Sequence, residues 1–392
     1  MRELLVSTAF VLFLSAPWLA GLAGFEAQAV ENRRLATRPE WKLASWLDAE
    51  AYAGLGSWLK DALPLRAEAI ALDSWIDYRV LGDSPTRRVL IGRDGELFLD
   101  IELSSACAQD AVLDVEALSR LGGELKRDRI DLFLMLSPNK SFLYPERVPE
   151  AGTALAACGK RARDELRTRF ERALPFTPVE LWGAFEAEAR SGRRLFPQRG
   201  RHWDAYGAML QARGLVEAIQ PGLWDESAVV ETGSVARAAE LPRRFMNLEI
   251  EQTQALLGVE RPGVAVVREE FRLAPASRQP SARSSARSSG PGLIPGRTLV
   301  VHDSFMERSI GPFSAYAESA VFVHWTQLVQ HTEAVARLLQ GAERLVLQLV
   351  EDRAGVELGR HVGAILQVQQ QHQALRARGA KLRRLPGNSP GG

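Results

Sequence analysis

Apolar residues recur at two different spacings along the chain, and the two spacings predict two kinds of element. Short runs at residues 132–136, 299–301 and 345–350 that are wholly or largely apolar are typical of strands that are buried on both faces of a parallel sheet. Between residues 44 and 79, and again between residues 160 and 193, apolar side chains return at helical spacing. Alternation of such strands and helices favours an α/β fold with a mostly parallel sheet.

The N-terminal segment is more apolar than the rest of the chain. A run from Leu4 to Leu22 carries no charged residue, and its length is close to the ~20 residues that a helix needs to cross a bilayer. The Ala27-Gln28-Ala29 triplet resembles a signal-peptide cleavage site. We therefore expect residues 1–29 to be a signal peptide or a membrane anchor, and both alternatives export the rest of the chain.

Hydrophobic content also divides the remainder of the chain. We expect a helical lead-in at residues 30–85 and one large α/β domain at residues 86–375. Residues 275–297 are rich in Ser, Arg, Gly and Pro, which predicts a disordered loop that interrupts this domain. The basic, then Pro/Gly-rich, tail at residues 376–392 is predicted to be flexible.

Composition argues against two kinds of function. With 49 basic and 48 acidic residues among 392, the net charge is +1, so no basic field for nucleic acid is expected. The two cysteines, Cys107 and Cys158, belong to no C-x-x-C pair, so a zinc site has no support, and no metal or other cofactor is predicted. In an exported protein the two thiols would form a disulfide, and buried free thiols are the alternative.

The strand predicted at residues 299–301 ends at His302-Asp303-Ser304, and a helix is predicted to follow. The carboxyl end of a parallel strand is where α/β proteins bind ligands. Ser304 could act there as a nucleophile if a histidine elsewhere accepts its proton. Alternatively, Asp303 or Ser304 only caps the next helix.

Three further motifs precede this one. They are Val89-Leu-Ile-Gly-Arg-Asp-Gly-Glu-Leu-Phe-Leu99, the Pro-Asn-Lys loop within residues 132–146, and His202-Trp203 within residues 195–208. In this order the four resemble the SGNH-hydrolase-like domain of the alginate O-acetyltransferase family (AlgX/AlgJ-like). The corresponding four motifs of that family look like G-x-D-G-W-L-F, P-N-K-x-x-x-Y-P-E, D-T-H-W-x-x-x-G-A and G-D-S-F, in this order. The resemblance extends from about Glu31 to about Arg360.

The resemblance implies an SGNH-hydrolase-like (flavodoxin-like) three-layer fold with a mostly parallel sheet. It also implies Ser304 as nucleophile and His202 as base, with Asp303 as a further catalytic candidate. Asn139 and Lys140 are candidates for the oxyanion site or for substrate contact. Capping a turn is an equal alternative for Asn139, and a structural role in the loop is the first alternative for Lys140.

This sequence departs from the family pattern at two positions. Gly200 stands two residues before His202, where the family has its acid, so no carboxylate at that position orients the imidazole. Arg201 lies between them and would disfavour a charged imidazole. His302 stands where glycine is more usual, which changes the space beside Ser304.

The function implied by the resemblance is an exported polysaccharide O-acetyltransferase, which moves acetyl groups onto sugar hydroxyls of an exopolysaccharide through Ser304 and His202. Its expected partners are the polysaccharide, a membrane-bound acyltransferase that supplies acetyl groups, and the inner membrane through the N-terminal segment. Its expected location is the periplasm. One alternative is a catalytically degenerate homologue that binds polysaccharide or scaffolds the exopolysaccharide machinery. A carbohydrate esterase is the other.

Overall fold

The computed structural model describes residues 2–25, 36–105, 115–170, 176–271 and 283–383. Within these ranges the helices are α1 Arg2–Leu22, α2 Ala49–Ala62, α3 Arg66–Trp75, α4 Asp100–Ser104, α5 Val115–Arg127, α6 Lys140–Leu143, α7 Thr153–Phe170, α8 Trp182–Arg190, α9 Ala205–Ile219, α10 Glu240–Phe245, α11 Ile310–Ser314, α12 Trp325–Gln330, α13 Thr332–Leu339 and α14 Ala354–Arg383. The strands are β1 Val89–Ile91, β2 Leu97–Leu99, β3 Asp131–Ser137, β4 Thr177–Val179, β5 Val229–Ala238, β6 Glu251–Val259, β7 Ala265–Glu270, β8 Arg283–Ser289, β9 Ile294–His302, β10 Ala317–His324 and β11 Arg344–Val350.

The chain divides into two compact units. The first comprises Met1–Ile91 with Ala238–Glu251, and it contains the helices α1, α2, α3 and α10. Helices α2 and α3 lie within the predicted lead-in at residues 30–85, and α1 covers the apolar run at the N-terminus. Among the described residues, no helix meets the length and apolarity that a membrane crossing requires.

The second unit, Gly92–Arg237 with Gln252–Gly392, is built on a seven-stranded sheet in the order β4-β3-β11-β9-β10-β8-β7. The five strands from β4 to β10 in this order are parallel. Strand β8 is antiparallel to β10, and β7 is antiparallel to β8. The sheet is therefore mixed and mostly parallel, as predicted.

Helices cover both faces of this sheet. In β3, Leu132, Leu134 and Leu136 belong to one buried core, whereas Phe133 and Met135 belong to the other. Helices α5, α13 and α14 pack on the first face, and α8, α9 and α11 pack on the second. Because successive side chains of a strand point to opposite faces, a continuous apolar run serves two cores at once. The fold has three layers.

The prediction of disorder at residues 275–297 is wrong for residues 283–297, while residues 275–282 lie outside the described residues. Residues 283–289 form β8, and β9 already begins at Ile294. Strand pairing uses backbone N–H and C=O groups, so a Ser- and Arg-rich segment can join a sheet wherever a neighbouring strand offers an open edge. Gly290, with φ of 136°, and Gly292, with φ of 63°, make the turn between the two strands.

The tail is also more ordered than predicted. Helix α14 continues to Arg383, and Arg376 Nη1 donates to Asp128 Oδ1 at 2.7 Å. The predicted flexibility is therefore wrong for residues 376–383, and residues 384–392 lie outside the described residues.

Cys158 is disulfide-bonded, and Cys107, the only other cysteine of the chain, lies outside the described residues. We expect Cys158 to resist alkylation in the native protein until a reductant is added. Cys158→Ser should lower the free energy of unfolding by ~3–4 kcal/mol, because closing a long loop restricts the unfolded chain. Mass spectrometry after maleimide treatment and urea unfolding measure the two effects. Labelling of Cys158 in the unreduced protein would contradict the prediction.

Candidate active site

Three neighbouring parallel strands, β3, β11 and β9, end at one edge of the sheet. The segments that follow them carry Asn139, Glu351 and Ser304, together with their neighbours in sequence. Pairing between β9 and β11 stops at Val301 and Leu347, so the two strands separate before either one ends. This separation opens the carboxyl edge of the sheet, where ligands bind in α/β folds.

Ser304 and His202 meet at this edge, although 102 positions separate them in sequence. His202 Nε2 lies 2.8 Å from Ser304 Oγ, and both residues are partly exposed. The backbone N–H of Ser304 donates to no other atom of the described residues. The site therefore combines two features. One is a hydroxyl in hydrogen-bond contact with an imidazole, and the other is a backbone N–H that can donate to an anionic oxygen.

Phe305 explains why the two segments dock against each other. Its ring centroid lies 4.7 Å from that of His202 and 5.1 Å from that of Trp203, and the Arg201 guanidinium lies 5.7 Å from it. Trp203 is fully buried and also packs against Phe185. Aromatic burial of this kind stabilises the contact by more than the Ser304–His202 hydrogen bond could.

Within the described residues, the hydrogen bonds of the Asp303 carboxylate go to groups other than His202. Its Oδ1 accepts from Phe305 N at 2.8 Å and from Gln348 Nε2 at 3.0 Å, and its Oδ2 accepts from Val350 N at 2.7 Å. The carboxylate faces back toward the sheet, so the catalytic assignment of Asp303 gives way to a role in shaping the turn. The alternative that Asp303 caps the next helix is also wrong, because α11 begins only at Ile310. Asp303 closes the turn after β9 instead.

A buried chain of hydrogen bonds lies behind this turn, and no motif in the sequence indicated it. Gln348 Oε1 accepts from Asp303 N at 3.0 Å, and Gln348 Nε2 donates to Ser137 Oγ at 2.8 Å. Gln211 Nε2 donates to the same Ser137 oxygen at 2.9 Å, and Ser309 Oγ donates to Gln211 Oε1 at 2.5 Å. The chain links strands β3 and β11 to helix α9 beneath Ser304.

Asn139 and Lys140 are both buried, so neither presents its side chain to a substrate. The Asn139 side chain accepts from Ser141 N at 3.2 Å and caps helix α6, which is the structural alternative considered for it. Lys140 Nζ lies within hydrogen-bond distance of the carbonyl oxygens of Leu97, Pro197, Gln198 and Gly200, and 2.8 Å from Glu96 Oε1. The oxyanion and substrate roles expected for these residues conflict with this burial.

Gly200, which replaces the family's acid, lies in a tight turn. A side chain there would place its Cβ 3.3 Å from Pro197, while the carbonyl oxygen accepts from Lys140 at 3.0 Å. The Arg201 guanidinium lies near two carboxylates that are distant in sequence. Its Nε lies 3.2 Å from Glu102 Oε1, and its Nη2 lies 3.9 Å from Asp352 Oδ2. The charge of Arg201 is therefore compensated by two buried acids that sequence reasoning missed.

Two buried carboxyl groups follow strand β11. Burial raises the pKa of Glu351 from 4.5 to about 7, although the carboxyl accepts from Asn139 N at 2.7 Å and from Trp182 Nε1 at 2.5 Å. Burial also raises the pKa of Asp352, while Arg201 opposes that rise. The apolar run at residues 345–350 predicted the strand but did not indicate these two carboxyl groups.

His302, which stands where the family more usually has glycine, is buried beside the turn. Burial lowers the pKa of His302 to about 4, so its imidazole is neutral near pH 7. Its Nδ1–H donates to Asp303 O at 2.7 Å, and the backbone of His302 pairs with that of His324 in β10. No group of three or more His, Cys, Asp or Glu side chains in the described ranges could hold a metal ion.

A comparison with protein families identifies a match for part of this chain. Residues 89–253 match the family described as the SGNH hydrolase-like domain of the acetyltransferase AlgX. The predicted resemblance to the alginate O-acetyltransferase family is confirmed, and the α/β fold is SGNH-hydrolase-like. The matched residues include His202, whereas Ser304 lies beyond them. No curated protein sequence matches the chain.

Solved structures similar to this chain include three bacterial proteins. The O-acetyltransferase domain of Pseudomonas putida AlgJ is 15% identical with a TM-score of 0.43, covering 72% of this chain and 98% of that one. Pseudomonas aeruginosa AlgX is 15% identical with a TM-score of 0.43, covering 72% and 65%. Bacillus cereus PatB1 with a sulfonyl adduct is 12% identical with a TM-score of 0.49, covering 68% and 95%.

Asp303→Asn tests the role of the turn. The amide would present an N–H donor to one of the N–H groups that now donate to the carboxylate, so a partly buried hydrogen bond is lost. We expect the free energy of unfolding to fall by ~1–3 kcal/mol in urea titrations. Equal stability of the variant and the wild type between pH 6 and pH 8 would contradict the structural role.

Glu351 predicts a pH dependence of stability. Because its folded pKa of about 7 exceeds the ordinary value of 4.5, the folded protein keeps a proton that the unfolded chain releases. This contribution is fully present below pH 4.5 and is lost as the pH rises through 7. Glu351→Gln should therefore lose less stability than the wild type in urea titrations from pH 5 to pH 8. Asp352 shifts in the same direction and remains in both proteins, and Glu150→Gln at an exposed position is the control. Identical slopes for the wild type and Glu351→Gln would contradict the assignment.

Proposed function

We propose that this protein is a polysaccharide O-acetyltransferase that uses Ser304 as its nucleophile and His202 as its general base. The observation that carries the proposal is the 2.8 Å separation of His202 Nε2 and Ser304 Oγ at the carboxyl edge of the sheet. Support also comes from the family match, because its residues 89–253 contain the loop that presents His202. An activated serine of this kind suits acyl transfer.

The reaction follows from the positions of these atoms. A neutral His202 accepts the proton of Ser304 Oγ at Nε2 as the oxygen attacks the carbonyl carbon of an acetyl donor. The carbonyl oxygen becomes an oxyanion, to which the Ser304 N–H can donate. Collapse transfers the proton from His202 to the leaving oxygen and leaves acetyl on Ser304. A sugar hydroxyl then attacks the carbonyl carbon of acetyl-Ser304 while its proton passes to His202. Collapse breaks the bond to Ser304 Oγ, which takes the proton back from His202, and the acetylated sugar leaves.

The setting of this reaction is part of the proposal. We infer an exported protein, located in the periplasm, whose N-terminal segment is a signal peptide or associates with the inner membrane. The support is the uncharged, mostly apolar run from Leu4 to Leu22 and the disulfide at Cys158. Its acceptor would be an exopolysaccharide, and a membrane-bound acyltransferase would supply the acetyl group.

One observation favours a second candidate function. Gly200 provides no carboxylate at the family's acid position, which is the substitution expected in a degenerate homologue that binds polysaccharide or scaffolds the exopolysaccharide machinery. An esterase differs from the proposed transferase only in using water to release the acetyl group from Ser304.

Ser304→Ala tests the nucleophile. We expect the wild type to release 4-nitrophenol from 4-nitrophenyl acetate and to form a covalent adduct with phenylmethylsulfonyl fluoride at Ser304. The variant should do neither, because alanine has no hydroxyl to acylate. Ser289→Ala, at an exposed position of β8, is the matched control and should retain both reactions.

Acceptor dependence separates the candidate functions. A transferase should yield acetylated oligosaccharide when a sugar acceptor is added, whereas an esterase should yield only acetate. Binding of oligosaccharide by a protein that forms no adduct at Ser304 would support the degenerate homologue and exclude both enzymes.

A further inference from the structure

Lys140 has an unusual environment for a charged residue. Its side chain is fully buried, and its ammonium group lies within hydrogen-bond distance of four carbonyl oxygens and of Glu96, whose side chain is also fully buried. Burial lowers the pKa of Lys140, and the Glu96 carboxylate opposes that shift. The ammonium group has three N–H donors and is surrounded by four carbonyl oxygens and one carboxylate, so its charge favours the backbone arrangement that brings these oxygens together.

Three of the four carbonyl groups come from a single loop. They belong to Pro197, Gln198 and Gly200, at 3.0 Å, 2.9 Å and 3.0 Å from Lys140 Nζ. His202 follows this loop by two residues. The convergence of three carbonyl oxygens at one point is electrostatically unfavourable by itself, and the ammonium group compensates for it.

The fourth carbonyl group connects this loop to a strand. Leu97 O accepts from Lys140 Nζ at 2.9 Å, while Leu97 N donates to Gln198 O at 3.0 Å. The ammonium group therefore joins strand β2, the start of helix α6 and the loop that precedes His202. Helix α6 follows strand β3, so the core of the sheet fixes the position of the loop.

We propose that Lys140 is a positioning residue, which holds His202 within hydrogen-bond reach of Ser304 through the backbone of residues 197–200. The side chain at position 200 is only a hydrogen atom, so position 200 acts on His202 through its backbone, and Lys140 binds that backbone. The catalytic significance of this placement rests on the proposed function, whereas the placement itself does not.

The test uses the double variant Glu96→Gln/Lys140→Met, which removes the cation without leaving an unpaired buried carboxylate. Arg194→Gln is the matched control, because Arg194 Nη1 also binds Glu96, at 2.9 Å, and contacts no loop carbonyl. Crystal structures of both proteins give the distance between His202 Nε2 and Ser304 Oγ. We expect more than ~3.5 Å in the double variant, beyond hydrogen-bond reach, and no change in the control.

A second readout is the rate of Ser304 labelling by phenylmethylsulfonyl fluoride from pH 5 to pH 9. For the folded double variant we expect a rate ~100-fold below the wild type, the loss that a 1 Å misplacement can cause. With 4-nitrophenyl acetate, kcat should fall while KM stays the same, whereas a mere loss of folded protein would lower the amplitude and leave the pH profile unchanged. If the double variant does not fold, Lys140→Gln replaces it, with a smaller loss expected because the amide can still donate two bonds.

The two readouts separate the two proposals. A folded variant that keeps the 2.8 Å contact and the wild-type labelling rate would overturn the role of Lys140 and leave the nucleophile in place. A wild type that is never labelled, with a contact that still opens in the variant, would support the role of Lys140 and overturn the proposed function.

Discussion

The site depends on what happens where two neighbouring parallel strands separate. Strands β9 and β11 stop pairing at Val301 and Leu347, and beyond that point the Asp303 carboxylate takes over from the backbone. By accepting from Val350 N at 2.7 Å it ties the turn after β9 to the end of β11. A side-chain hydrogen bond thus replaces the backbone pairing at the point where the two strands separate, and Ser304 lies at that point.

A second constraint acts on the other half of the site. The loop before His202 has no regular secondary structure, yet it is held from both sides by groups that are fully or mostly buried. Lys140 binds its carbonyl oxygens, and Phe305 packs against the side chains that follow them. Because Phe305 comes directly after Ser304, the aromatic contact and the 2.8 Å contact between Ser304 and His202 form together.

Sequence reasoning succeeded where the determinants are local. The apolar runs in β3, β9 and β11 predicted buried strands, and the end of β9 predicted the edge at which Ser304 lies. The turn after β9 was misjudged, because the same Asp-Ser pair can cap a helix or bind a neighbouring strand. Only the position of Val350, 47 residues away, distinguishes the two.

The roles of Lys140 and of residues 283–289 could not be predicted for a related reason. A lysine in a loop motif is normally solvated, and its burial depends on carbonyl groups that arrive from residues 197–200. Likewise, residues 283–289 have the composition of a disordered segment, and strand β8 forms because the edge of β10 accepts it. Both outcomes are decided by partners that are remote in sequence, which composition and periodicity do not record.

The addition of β8 and β7 changes which strand forms one edge of the sheet, and so which backbone groups could pair with another copy of the protein. Within the described residues the outer strands of the sheet are β4 and β7. Strand β4 is three residues long and contains Pro178, whose missing N–H weakens any further pairing, whereas β7 carries Arg268, Glu269 and Glu270 in exposed positions. Short, proline-containing or charged edges oppose edge-to-edge association of sheets. Pairing with the sheet of another copy is thereby opposed at both outer strands.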